Sequence, residues 1–213
     1  MALIKAHIHL HRDVLDLPVL MTEPFLMIGF QVIAGTDLPE DFNYPNVKQL
    51  LEARGLTNVT AIDYFDPAAD LRYDMNLPIP EHEHERYQTV YDIGTIEHVF
   101  DTRQCLENCM RMVTVDGYYF VTTPVKGYFE HGLHTFAPEV MIRALEMNNF
   151  EIVYEQFTSR RGERIKHANE AADSLIWVVG RKTASTGQFK IPQQACYEEA
   201  WSDGSVEKKP AYE

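Results

Sequence analysis

Glu97, His98, His131 and His134 are the side chains of this sequence best suited to proton chemistry near neutral pH. A neutral imidazole can take a proton from a hydroxyl or an amine, and a neighbouring carboxylate can orient the ring. Glu97-His98 lie in a polar elbow, Gly94 to Phe100, that follows the apolar run Thr89 to Ile93. His131 and His134 lie in a connection containing Gly127 and Gly132, beyond a second apolar run through Tyr118 to Thr123. The plainer reading makes His98 a structural elbow residue bonded to backbone, and His131 and His134 packed loop contacts. Carboxylates also close apolar runs: Asp63 ends Val59-Thr60-Ala61-Ile62, and Asp92 stands near the end of the run before the elbow. Asp74 precedes the turn Asn76-Leu77-Pro78, where it can act as a simple cap.

Two other histidine groups suggest less. His7, His9 and His11 alternate as on the edge of a strand, a pattern known from metal hydrolases. A catalytic metal site needs more ligands than this, and the barrel in which the pattern usually opens needs about 250 residues. His82 and His84 alternate with Glu81, Glu83 and Glu85 in a charged loop, which reads as solvated surface. No metal site is expected.

These residues must be positioned by alternating strands and helices. Phe25-Leu26-Met27-Ile28-Gly29 is a continuous apolar run, as in a strand buried on both faces. Phe30 to Asn43 reads as loop; a helix over Val47 to Arg54 is closed by Gly55; Val59 to Ile62 is a second strand. Ala68 to Asn76 predicts a weak third strand with its loop, and Thr89 to Ile93 a fourth. An amphipathic helix containing Cys105 and Cys109 leads to a fifth strand, Pro138 to Asn148 predicts a helix, and Phe150 to Phe157 and Ser174 to Val179 predict two last strands. Such alternation argues for a mostly parallel sheet with helices on both faces, and ligands bind beyond the carboxyl ends of such strands.

The wording of the middle of the chain resembles class I S-adenosylmethionine-dependent methyltransferases, over roughly residues 25–182. In that family an "EHV" elbow follows the fourth strand and an "R-x-L-x-P-G-G" turn precedes the fifth; here stand Glu97-His98-Val99 and Arg111-Met112-Val113-Thr114-Val115-Asp116-Gly117. Gly29-Phe30-Gln31, Asp74-Met75-Asn76-Leu77-Pro78-Ile79-Pro80, Glu97-His98-Val99-Phe100 and His131 to Glu139 are similar to a type 11/12-like subgroup with a degenerate glycine loop. The resemblance implies a seven-stranded Rossmann-like sheet with an antiparallel C-terminal edge strand. It implies S-adenosylmethionine as cofactor, held by Gly29, Asp63 (ribose), Asp74 and Asn76 (adenine), with Asp92, Gly94 and Glu97 beside its methionine portion. His98, His131 and His134 then face the acceptor, an O or N of a small molecule such as a sugar or glycan precursor. A non-catalytic methyltransferase-like scaffold is the alternative, since only Gly29 of the superfamily's G-x-G-x-G loop is present.

Composition bounds the partners. The net charge of −13 argues against nucleic acid, whose binding rests on a basic footprint. No apolar run approaches the roughly 18 residues of a membrane span, and the start of the sequence does not read as a secretory signal. Three cysteines without a CxxC spacing fit reduced thiols in a cytoplasm. The expected organisation is an arm over residues 1–23, a methyltransferase-like domain over 24–182, and an extended or disordered tail over 183–213. Phe189, Tyr197 and Trp201 in that tail could dock on a second subunit of a homo-oligomer.

Overall fold

A computed structural model describes residues 2–17, 19–196 and 199. The chain opens with β1 (Ala2–Ile4), passes through helix α1 (Ile8–Leu15) and enters the main sheet at β2 (Phe25–Ile28). A short β3 (Val32–Ala34), inside the stretch read as loop, pairs in parallel with β1 as a separate two-stranded sheet. The main sheet has the order β4 (Val59–Ile62), β2, β5 (Tyr87–Ile93), β6 (Val113–Lys126), β9 (Ser174–Lys182), β7 (Phe150–Ser159), β8 (Arg164–Ile165). The first four are parallel neighbours; β9 runs against β6 and β7, and β8 against β7. The sheet is therefore mostly parallel, with its antiparallel strands gathered on the C-terminal side.

β2 shows why the sheet is covered on both faces. All four of its side chains are buried. Leu26 and Ile28 pack towards α3 (Thr102–Met112) and α4 (Pro138–Met147), whereas Phe25 and Met27 pack towards α1 and α2 (Val47–Ala53). Burying each such side chain stabilises the fold by about 1.5–3 kcal/mol. Caps set the helix starts: Asn46 accepts the Gln49 amide at α2, and Asp101 accepts that of Gln104 at α3. Cys105 and Cys109, one turn apart on α3, are buried free thiols.

Two expectations are corrected. His7-Ile8-His9-Leu10-His11 is not a strand edge: Lys5–His7 form one 3-10 turn, and α1 begins at Ile8. Five residues cannot separate a period of 2 from one of 3.6, and burial of Ile8, His11, Val14 and Leu15 follows the helical spacing. His7 and His11 thereby share one face and meet Trp177, at 5.9 and 4.8 Å between ring centres. The predicted third strand shrinks to a single bridge between Leu71 and Ile62. Its ladder stops because the Asp70 carboxylate itself accepts the Ala61 amide at 2.8 Å. The seventh strand is instead β8, the outer half of a hairpin with β7.

Beyond β9 the chain is extended yet packed. Phe189 is buried against the α3–α4 side of the core, under the Arg103 guanidinium, and Arg111 donates to the carbonyls of Thr186 and Gly187. Tyr197 and Trp201 lie outside the described residues. Among the described residues no helix is long and apolar enough to cross a membrane.

Candidate functional site

The parallel strand order reverses beside β2: the chain goes from β2 to β4 on one side and returns to β5 on the other. Open α/β sheets form their ligand crevice at such a point. Here it is a cavity of about 670 Å³ whose lining includes Gly29, Asp63, Asp74, Asn76, Thr95 and His98. Gly29 leaves β2 at φ 83°, a conformation that glycine adopts without strain, and lines the cavity with Phe30 after it.

Asp63 knots the rim of this cavity. Its Oδ2 accepts the Phe30 amide at 2.8 Å, while Oδ1 accepts those of Phe65 at 2.8 Å and Asp66 at 3.0 Å. Burial works against the charged form, but the amides of Asp66, Phe30 and Phe65 outweigh it and hold the carboxyl below its usual range. A carboxylate offers about four acceptor positions, so roughly one remains for a further donor. Asp74 Oδ1 accepts both the backbone and side-chain amides of Asn76, whose Oδ1 accepts the Asp101 amide at 2.9 Å. The loop after β4 is thus tied to the start of α3. Tyr64, Phe65 and Tyr73 add aromatic surface to the wall, and Ile62, Met75 and Val99 add apolar surface.

The remaining sequence-predicted residues lie next to the cavity but not on its wall. Asp92 is fully buried: Oδ1 accepts the Thr95 amide at 2.7 Å, Oδ2 has no hydrogen-bond partner among the described residues, and burial pushes its pKa up to about 7. Glu97 is 2% exposed, accepts the Thr123 hydroxyl at 3.2 Å, and is pushed up to about 8 by burial and then by Asp92. Gly94 sits where a Cβ would come 2.8 Å from Glu97 Oε1.

The loop after β6 closes on this elbow. The Glu97 carbonyl accepts the amides of Leu133 at 2.8 Å and His134 at 3.1 Å. His131 then lies with its Nε2 3.7 Å from Glu97 Oε1 and its ring 5.2 Å from that of His98. Burial, then His131, lowers the pKa of His98 and favours its neutral form. His134 points elsewhere: a ring nitrogen lies 3.2 Å from the Phe100 carbonyl, and the ring stacks on Phe136. The structure therefore brings Gly29, Asp63, Asp74, Asn76 and His98 around one cavity and Glu97, His98 and His131 into one cluster, with His98 common to both. Thr95 and the Tyr64-Phe65 pair went unread in the sequence. Their one signal was position directly beyond a strand's carboxyl end.

No protein-family model matches the chain, and no curated protein matches it in sequence. Its fold is that of class I methyltransferases. It aligns with the [4+2]-cyclase SpnF at a TM-score of 0.55 and 15% identity, over 84% of this chain and 82% of the other. It aligns with the N-methyltransferase NodS from Bradyrhizobium japonicum WM9, solved with S-adenosyl-L-homocysteine, at a TM-score of 0.52 and 13% identity. There the match covers 82% of this chain and 87% of NodS. A cyclase beside a methyltransferase shows why the chemistry must be argued from the site rather than the fold.

Proposed function

We propose that the chain binds S-adenosylmethionine over Gly29 and directs its methyl group to an oxygen or nitrogen of a small molecule. The observation that supports this reading is the cavity at the reversal point, which pairs the capped Asp63 carboxylate with apolar and aromatic walls. The donor set fits that cofactor: the remaining acceptor position on Asp63 suits a ribose hydroxyl, and Asp74 with Asn76 supplies polar edges for adenine. When bound, the sulfonium supplies a methyl group that is already electrophilic. The chain's own task is therefore orientation, which can give effective molarities of ~10⁵ M or more. His98, kept neutral beside the cavity, can take the acceptor's proton, and Glu97 fixes the loop that carries His131.

Calorimetry with S-adenosylhomocysteine tests the reading. Binding by the native chain, weakened tenfold or more in Asp63→Asn, is the expected result. Hydrogen bonds to charged groups contribute ~1.5–3 kcal/mol, and 1.4 kcal/mol is tenfold. No binding by a folded native chain would leave the non-catalytic scaffold as the better account.

A further inference from the structure

We infer that Glu97, His98 and His131 form a binding site for a divalent first-row cation such as Zn²⁺. One ligand atom from each lies within 4.8 Å of the others, and His131 Nε2 already stands 3.7 Å from Glu97 Oε1. Tetrahedral ligand atoms about 2.1 Å from an ion are about 3.4 Å apart, so closure by roughly an ångström completes the set. His131 is free to adjust, since its side chain is 48% exposed, whereas that of Glu97 is 2% exposed and fixed.

The scaffold around the cluster supports this assignment independently of the three side chains. Glu97 and His98 lie on one 3-10 turn, Ile96–His98. The Glu97 Oε2 accepts the Thr123 hydroxyl, which leaves Oε1 towards His131. The Glu97 carbonyl holds the loop through Leu133 and His134, and Gly132 allows the approach, because a Cβ there would lie 2.9 Å from that carbonyl oxygen. Tyr128 accepts the His131 amide and packs edge-on against its ring. Two distant segments are thus fastened together at the point where their ligands converge.

Two imidazoles and one carboxylate favour zinc, cobalt or iron over magnesium and calcium, which prefer all-oxygen sites. Three protein ligands also leave a coordination position open, as in catalytic rather than structural sites. His98 lines the cofactor cavity, so the ion would stand at its edge. Resting on the proposed methyl transfer, this favours an acceptor with a hydroxyl group. Bound to the ion, the hydroxyl has a lowered pKa, its O–H bond breaks, and the proton passes to water. The histidines then hold the ion instead of the proton.

The test uses the full chain, treated with chelator and dialysed, then titrated with Co²⁺ and followed by visible absorption. The expected result is one equivalent of Co²⁺ per chain with tetrahedral or five-coordinate absorption bands, displaced by Zn²⁺. His131→Ala and Glu97→Gln should each weaken binding at least tenfold, whereas His82→Ala/His84→Ala should not. Circular dichroism on each variant separates lost binding from lost folding, and His131→Gln, at an exposed position, serves if Glu97→Gln does not fold. Absence of the bands, or bands that survive both His131→Ala and His131→Gln, overturns the site. Calorimetry with S-adenosylhomocysteine on the same samples keeps the two claims apart. Cofactor binding without Co²⁺ binding removes the cation site alone, and Co²⁺ binding without cofactor binding removes the methyl-transfer reading while the cation site stands.

Discussion

Asp63 and Glu97 are carboxylates in loops at the same edge of the same sheet, yet their surroundings push them in opposite directions. Asp63 stands on the β2–β4 side, partly exposed, with three backbone amides pointing at it. Glu97, on the β5–β6 side, is buried with Asp92 behind it and is pushed up to about 8. Amides directed at a carboxylate favour its charge, while desolvation and a second carboxylate oppose it. One side of the edge thus keeps a charged acceptor at the cavity. The other holds acidic groups that burial disfavours as anions and that the proposed cation would favour. On the proposed reading, a binding half and a reacting half thus lie side by side within one loop layer.

The largest effect on cofactor affinity is expected from breaking the Asp63 knot. Asp63→Ala leaves the amides of Phe30, Phe65 and Asp66 without their acceptor, so both functions of the carboxylate go together. S-adenosylhomocysteine affinity should fall tenfold or more, and stability by about 1–3 kcal/mol, read by calorimetry and urea unfolding. Asp63→Asn keeps an acceptor oxygen and should lose affinity while retaining most of the stability. If the two variants behave alike, the carboxylate is structural only.

Next in size is the fastening on the other side. Gly132→Ala places a Cβ 2.9 Å from the Glu97 carbonyl oxygen and 3.0 Å from Glu97 Cγ, which the loop can relieve only by lifting. Overpacking of this kind costs about 1–3 kcal/mol. Because the affected contacts lie at the rim, the larger share should appear as loss of acceptor turnover, with cofactor affinity unchanged. A variant that turns over normally would show that the loop does not need its seat on Glu97.

This asymmetry explains what could be read before the fold was known. Gly29 and Asp63 were legible because each directly ends a short apolar run, and the end of a buried parallel strand is fixed by the run itself. The pairing of Glu97 with His131 was not legible. It joins positions 34 residues apart, and depends on two amides and one glycine seating a loop whose sequence has no periodicity. α1 was misread for a related reason: HIHLH satisfies two periods at once, and only contact with Trp177 decides between them. The third strand failed because one side chain, Asp70, took a ladder amide, a competition that strand propensity does not describe.

The two sides should also answer to different pH windows in chelator-treated protein. Asp92 has a folded pKa of about 7 against an ordinary value of 3.8. Between these the native state binds the extra proton, so stability falls as pH rises from about 4 to about 7. Asp63, held low, has the opposite sign: its contribution is present above its unfolded pKa and disappears as pH falls through the folded one. Glu97, raised to about 8, adds a slope of the same sign from its ordinary value of 4.5. Asp92→Asn should therefore reduce but not abolish the slope of unfolding free energy between about pH 4 and 7, and Asp63→Asn should change it only below about pH 4. A slope unaffected by Asp92→Asn would assign that window to another group.

The smallest effect is expected from His134, and it sharpens the boundary of the reacting half. In sequence His134 is as good a candidate as His131, three residues away and in the same loop. In the structure its ring lies against Phe136, with one nitrogen near the Phe100 carbonyl, and belongs to neither the cavity nor the Glu97 cluster. A side chain so placed anchors loop to elbow through a partly exposed contact, and its loss should cost within about 0.5 kcal/mol. His134→Ala should therefore leave cofactor affinity unchanged and lower turnover by less than tenfold. Removing a group that takes the acceptor's proton, or that holds a cation lowering the acceptor's pKa, costs roughly 10²-fold or more. Measuring kcat for His98→Ala, His131→Ala and His134→Ala side by side should give two large losses and one small one. An equal loss in His134→Ala would place its imidazole at the acceptor and extend the reacting half across the whole loop.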